Sequence, residues 1–275
     1  MTPKIVGHMI VKNEERFIWY SISSVLPFLD KLIIFDTGST DKTLDLIKCI
    51  QSPKIELFEK DTVNDKTHTE LRNEMIKLSP KSKYDWIMIV DGDEIWPEDQ
   101  LRKTIEELGK TDANTVVVRT KNVVGDIYHA LPEAAGQYQI LGKKGHLAMR
   151  FLRTDIKNLR VVNPHGGQTY LNGDTPVHEQ TRQEILMLPY YYIHTTHLRR
   201  SSQDKTTLKR SFKYKYELGD EISKTKLPEV FFVERPLTVP DVTGEMDIFT
   251  YALCSIFTIP RRIRRKFFRL KSGYI

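Results

Sequence analysis

Apolar residues follow two alternating patterns through the first part of the chain: short unbroken runs, and stripes spaced three or four positions apart. The runs read as buried strands and the stripes as amphipathic helices. Lys4–Val11 is the first run. Phe17, Ile18, Ile22, Val25 and Leu26 then recur at helical spacing up to Pro27, and Lys31–Phe35 is a second strand. Ser39, Thr40 and Asp41 can each cap the helix that Leu44, Ile47 and Cys49 or Ile50 continue. Ile55–Phe58 is a short third strand, and Thr67–Leu78 a helix carrying Leu71, Met75, Ile76 and Leu78. Trp86–Val90 is a buried central strand, Pro97–Leu108 is helical, and Thr115–Arg119 is a strand rich in β-branched residues.

This alternation predicts an α/β fold of Rossmann-like type, a mostly parallel central sheet flanked by helices. Residues 120–180 hold more glycine and short strand-like pieces, Leu147–Leu152 and Leu159–Val162, which predict a small antiparallel extension. Ser201–Leu218 reads as a further helix, basic at its start, and the chain ends in a helical tail.

Composition adds little until the charge is located. A 275-residue chain with 40% hydrophobic and 28% charged residues can bury one substantial core. Of the formal charge of +6, seven basic residues lie between Arg261 and Lys271, and no acid follows Pro260. Removing those seven leaves 35 basic against 36 acidic residues, so the body is neutral. Nucleic-acid binding, which calls for a basic face across the body, is not expected. Cys49 and Cys254 have no metal or disulfide spacing, Cys49 is expected to be buried in its helix, and a reducing compartment fits. Charged residues from Lys12 to Arg16 argue against a secretory signal, and no apolar run is long enough to span a bilayer. The expected location is therefore cytoplasmic.

The candidate chemistry sits directly after Trp86–Val90, in Asp91-Gly92-Asp93-Glu94. Carboxylates at the carboxyl end of a central strand lie where open α/β sheets bind ligands. Crowded together, they need a cation, and oxygen ligands suit Mg²⁺ or Mn²⁺. The bland reading is an acidic strand-to-helix turn facing water.

Three upstream segments accompany it in order: Val11-Lys12-Asn13-Glu14-Glu15, Asp36-Thr37-Gly38-Ser39-Thr40-Asp41-Lys42-Thr43 and Leu71-Arg72-Asn73. Together the four segments resemble the family-2 glycosyltransferases of GT-A fold, over roughly residues 4–200. The resemblance implies a crevice that binds a nucleoside diphosphate sugar, with Val11, Asn13, Glu14 and Asp36 toward the base and ribose. It implies Asp91 and Gly92 at the ribose, Asp93 as ligand of a divalent metal, Mn²⁺ or Mg²⁺, and Arg72 as a forked donor. Many members carry a second acid after the position of Asp36; here Thr37 stands there and cannot supply a charge. The resemblance also divides the chain into a GT-A domain over 1–200, with 1–119 as donor half and 120–200 as acceptor half, and a helical C-terminal region over 201–275.

Later motifs resemble one branch of these enzymes. Arg150-Phe151 and Val177-His178-Glu179 match an Arg-Phe and a Val-His-Glu segment, which makes Glu179 the candidate base for an inverting transfer. His178 is left to orient it or touch phosphate; the alternative is a strand-end glutamate paired with an arginine. His194 or His197 resembles a late metal ligand, with His194 favoured because a tyrosine-rich strand precedes it. Arg199 and Arg200 either neutralise phosphate or form solvated charge. In the tail, Ile248–Ile259 precedes Pro260, and Ile263, Phe267, Phe268 and Leu270 interleave with the basic residues. Such a segment can lie on an anionic membrane surface, near a glycan or lipid-linked acceptor, or dock back on the domain.

Two other enzyme classes stay open. A sugar-phosphate nucleotidyltransferase would need a glycine-rich loop where Lys12-Asn13-Glu14-Glu15 stands. A two-metal phosphoesterase would need more inward acids. The remaining alternative is a non-catalytic carbohydrate or membrane-binding module.

Overall fold

A computed structural model of the chain describes residues 2–60, 65–206 and 217–267. The first four expected strands are present: β1 (Ile5–Val11), β2 (Lys31–Asp36), β3 (Ile55–Glu59) and β4 (Trp86–Ile89). A two-residue strand β5 (Glu94–Ile95) and the long β6 (Thr115–Asn122) follow. Two later strands, Leu147–Arg153 and Ile185–His194, complete an eight-stranded sheet. Its order from β3 runs β2, β1, β4, Leu147–Arg153, β6, Ile185–His194 and β5. β1, β2, β3 and β4 pair in parallel, as do β6 and Ile185–His194; Leu147–Arg153 runs antiparallel between β4 and β6.

Side chains on a strand alternate between faces, so a run that is apolar throughout must be covered on both. Ile5, Met9 and Val11 of β1 enter one buried cluster with Leu32, Ile34, Trp86 and Met88. Val6 and Ile10 enter the other, with Ile33, Phe35, Ile87 and Ile89. Helices α1 (Ile18–Val25), α2 (Thr43–Lys48) and α4 (Glu98–Leu108) cover the first face; α3 (Asp65–Leu78) covers the second through Leu71 and Met75. The expected α/β architecture is thus present, with strand ends carrying Asp36 and Asp91 on one edge.

The antiparallel extension is present in part: Leu147–Leu152, expected in it, instead pairs inside the main sheet, and the extension is a three-stranded sheet of Arg160–Val162, Thr169–Asn172 and Thr175–Pro176. Asn73 docks it on α3. Its amide donates to Val161 O at 2.9 Å and its oxygen accepts from Val161 N at 2.8 Å, so the side chain imitates a strand neighbour.

Two further expectations need correction or narrowing. Cys49 is exposed, not buried, because it caps the end of a six-residue helix whose inward positions are taken by Leu46 and Ile47. Of the helix expected over Ser201–Leu218, the described part begins as a 3₁₀ turn, Ser202–Thr206; residues 207–216 lie outside the described residues. The side chains of Phe267, Phe268 and Leu270 also lie outside them.

A histidine in the core makes stability depend on pH. His8 is fully buried on β1, with Nε2 at 2.7 Å from Ser79 Oγ; burial, then Arg72, pulls it down to about 3. Below the ordinary histidine value of 6.5 the unfolded chain takes a proton that the folded chain refuses until about 3. Stability contributed by His8 therefore falls as pH drops through that window. His8→Met should flatten this part of the stability profile in urea titrations at stepped pH; an unchanged slope would contradict it.

Candidate active site

The turn after β1 is built by Asn13, which takes a left-handed φ of 55°, a conformation asparagine tolerates. Its backbone N–H donates to Ser39 Oγ at 2.9 Å, and its Oδ1 accepts from Thr40 N at 2.8 Å. The first and second motifs are therefore stitched together. Within the second, Asp36 Oδ1 accepts from Gly38 N at 3.0 Å and Ser39 N at 2.9 Å, an Asx turn. Asp36 Oδ2 is buried and has no hydrogen-bond partner among the described residues. Thr37 donates through both its N–H and its hydroxyl to Val11 O, at 2.9 and 3.0 Å, so it serves the backbone here.

Gly92 lets the acidic turn settle onto this layer. A Cβ there would lie 3.0 Å from Glu14 Cγ and 3.1 Å from Val11 Cγ1. The two aspartates then face different cations. Asp91 Oδ1 meets Arg72 Nη2 at 3.2 Å and Oδ2 meets Arg150 Nη2 at 3.5 Å. Burial pushes the Asp91 carboxyl up, but Arg150 and Arg72 together hold it below the usual carboxylate range. Its side chain nonetheless keeps 37% of its exposure, so it sits deep but open to solvent. Glu94, by contrast, is fully buried, pairs with Arg150, and accepts from Asp91 N at 3.3 Å; burial lifts its carboxyl to about 7.

Asp93 points to the other side. Arg200 Nη1 donates to Asp93 Oδ2 at 2.6 Å and meets Glu14 Oε1 at 2.9 Å. Burial opposes the Arg200 charge, but Asp93 and Glu14 raise its pKa above the ordinary value. The backbone of Arg200 is held as well: its O accepts from Arg16 N at 3.0 Å and its N donates to Asp204 at 2.7 Å. His194 Nε2 lies 3.4 Å from the same Asp93 oxygen. It is delivered by strand pairing, since His194 lies opposite Glu94 on β5 and Asn122 on β6.

A hydrogen-bond relay sets the His194 tautomer. His146 Nε2 faces Pro132 O at 3.1 Å and must donate to it, so His146 Nδ1 accepts from Asn122 Nδ2 at 2.8 Å. That turns Asn122 Oδ1 toward His194 Nδ1 at 2.9 Å, so Nδ1 carries the hydrogen. A neutral His194 then presents its Nε2 lone pair to a carboxylate oxygen. At 3.4 Å the two acceptors can share a proton or a metal ion, and Arg200 Nη1 on the same oxygen offsets their repulsion. The site thus offers two ligands to a cation. Among the described residues no group of three or more His, Cys, Asp or Glu side chains forms a metal cage. Two protein ligands fit a hard divalent cation that takes its remaining oxygens from phosphate and water.

The family model for Glycosyl transferase family 2 matches residues 8–164, more than half of the chain. The chain belongs to that family. A curated relative is the SPbeta prophage-derived glycosyltransferase SunS of Bacillus subtilis (strain 168), 31% identical over 102 residues, which are 37% of this chain and 23% of SunS. The chain therefore aligns with under a quarter of that relative's length. Among solved structures, TarS 1-349 of S. aureus in complex with UDP-GlcNAc has a TM-score of 0.49 at 15% identity, over 70% of this chain and 58% of that one. Glucosyl-3-phosphoglycerate synthase from Mycobacterium tuberculosis, in complex with Mn²⁺, UDP and glucosyl-3-phosphoglycerate, has a TM-score of 0.45 at 16% identity, over 74% and 75% of the two chains.

In this family 2 chain, Glu14, Arg72, Asp91, Asp93 and His194 come together, with Val11, Asn13, Asp36 and Gly92 in the layer beside them. Arg199 does not join them. It is exposed, and its Nε donates to Ser201 O at 3.3 Å, whereas Arg200 is buried. His197 lies in the turn after the strand, beyond His194. Glu179 ends a 3₁₀ turn, 65% exposed, with His178 Nε2 at 3.6 Å. Burial lowers the His178 pKa, with Glu179 opposing. The turn is anchored by Val177, which is buried in the cluster of Leu71, Met75 and Tyr170. Tyr170 OH is buried beside the Asp91 group, feels Arg72, Asp91 and Arg150, and has no hydrogen-bond partner among the described residues.

Sequence reading places Glu94 only in the acidic turn and Arg150 only in a motif, and it misses Asn122, His146 and Tyr170. No local spacing marks them, because strand register and long-range pairing bring them in. Arg200→Met would leave Asp93 and Glu14 as buried carboxylates without their guanidinium, at a cost of about 3–5 kcal/mol. Urea unfolding should show that loss, and a change within a few tenths would mean that Arg200 is not what neutralises them.

Proposed function

We propose that the chain transfers a sugar from a nucleoside diphosphate sugar to a hydroxyl acceptor, with inversion and with a divalent cation, Mn²⁺ or Mg²⁺. The observation that carries this reading is the Asp93 carboxylate set 3.4 Å from a His194 Nε2 whose tautomer is already fixed. Family membership supplies the reaction class. Asp93 and His194 would hold the cation, and it would supply charge neutralisation to the departing diphosphate. Arg200 stands on the same Asp93 oxygen, so guanidinium and cation compete for it.

The donor side comprises Val11, Asn13, Glu14, Asp36, Arg72, Asp91 and Gly92. Asp36 Oδ2, buried and open for a donor, suits a ring N–H. Asp91, oriented by Arg72 and Arg150, suits ribose hydroxyls. Arg72 Nη1 and Arg150 Nε are further buried donors without partners among the described residues, which suits an anionic ligand nearby. Residues 1–119 form this donor half and 120–200 the acceptor half. In the latter, Glu179 takes the acceptor proton as the hydroxyl attacks the anomeric carbon, with His178 beside it. His197 and Arg199 hold outer positions.

The acceptor belongs to a cell-surface glycan or glycolipid assembled on the cytoplasmic side of a membrane. Two unbonded cysteines support a reducing compartment. Among the described residues no helix is long and apolar enough to cross a membrane.

A thermal-shift screen of nucleotide sugars, with and without Mn²⁺, should show a metal-dependent rise for one nucleotide that Asp93→Ala loses; no response to any nucleoside diphosphate would overturn the assignment. Glu179→Gln should keep that shift while turnover falls about 10²-fold or more. Unchanged turnover would move the base elsewhere.

A further inference from the structure

The C-terminal helix, Ile248–Phe267, is packed inside out. An amphipathic helix on a globular protein normally turns its large apolar residues inward. Here the inward stripe is Cys254 and Thr258, both buried, flanked by half-buried Thr250, Leu253 and Arg261. Its contacts are small and polar: Thr258 Oγ1 accepts from Leu218 N at 2.7 Å, and Arg262 Nη2 lies 3.4 Å from Asp220 Oδ1. The large residues face away. Ile248 is 88% exposed, Phe249 71%, Ile256 66%, Ile259 66% and Ile263 53%.

At about 100° per residue, Ile248, Ala252, Ile256, Ile259 and Ile263 fall on one line, opposite the line of Cys254, Thr258 and Arg261. The apolar face is therefore continuous and points straight out from the docked side. Charge decides what it meets. Seven basic residues and no acid lie between Arg261 and the end of the chain, although the rest of the chain is nearly neutral. A second copy placed on this face would bring two such basic segments together. An anionic lipid surface takes both features at once: isoleucines and Phe249 in the headgroup–acyl boundary, cations at the phosphates.

We infer that Ile248–Phe267 is an interfacial helix that seats the domain on an anionic membrane, lying in the plane with its Ile248/Ile256/Ile259/Ile263 face immersed. This does not depend on the donor or metal assignment, because the helix needs no nucleotide to bind. The test is co-sedimentation of the full chain with phosphatidylcholine vesicles, with and without phosphatidylglycerol, at low and high salt. Pelleting should require the anionic lipid and fall as salt rises. Ile256→Glu with Ile259→Glu should reduce partitioning more than about tenfold at unchanged melting temperature, since both positions are exposed. Arg261→Gln with Arg262→Gln should weaken it less. Tryptophan at position 256, introduced as Ile256→Trp, should blue-shift on anionic vesicles. Equal pelleting with neutral and anionic vesicles, or unaltered binding by the double glutamate variant, would overturn the inference. So would a dimer in sedimentation velocity that the glutamate variant dissociates while vesicle binding is absent.

Discussion

The site depends on charge neutralisation in a place with little water. Asp93, Glu94 and Glu14 are buried at strand ends, and Asp91 lies beside them, partly exposed. Buried carboxylates are tolerable only when paired and hydrogen-bonded. Three arginines from three distant segments meet that requirement: Arg72 from α3, Arg150 from the antiparallel strand of the sheet, and Arg200 from the turn after its longest strand. Each salt link ties a different part of the chain to the same acidic turn. Sheet order and site geometry are thus one problem, since moving any of these strands would leave a carboxylate buried alone.

The same pairing shapes what a ligand meets. Asp91 is held below the usual carboxylate range by Arg150 and Arg72, which keeps it an ionised acceptor. Asp93 has its guanidinium partner on the very oxygen that faces His194. A cation bound there, as proposed, would exchange one positive charge for another, and its affinity would be set in part by Arg200. Asn122 and His146 contribute from behind by keeping the His194 lone pair forward, the kind of outer support that metal-binding histidines generally have.

The fold was largely legible because its signals are local. Unbroken runs marked the buried strands, and alternation of β and α implied the parallel sheet. The acidic turn was legible too, since Asp91, Gly92, Asp93 and Glu94 are contiguous. What resisted reading was non-local. Arg200 and Arg199 are adjacent and chemically alike, and only the backbone bond to Arg16 and the cap from Asp204 turn Arg200 inward. The Asn122–His194 contact exists because β6 and the strand ending at His194 run in register, which no spacing along the chain encodes. Cys49 failed differently: a helix of only one and a half turns has room for few inward positions, and Leu46 and Ile47 occupy them. The tail showed two faces in its periodicity, yet which face docks followed only from Thr258 and Cys254 being the buried ones.

Electron paramagnetic resonance of Mn²⁺ tests the central claim most directly, because the free ion's signal disappears when it is bound. Titrating the chain in the presence of a nucleoside diphosphate should remove that signal, and replacing either Asp93 with Asn or His194 with Ala should restore it. Capture of Mn²⁺ by both variants as strongly as by the native chain would show that the acidic turn is not where the cation sits.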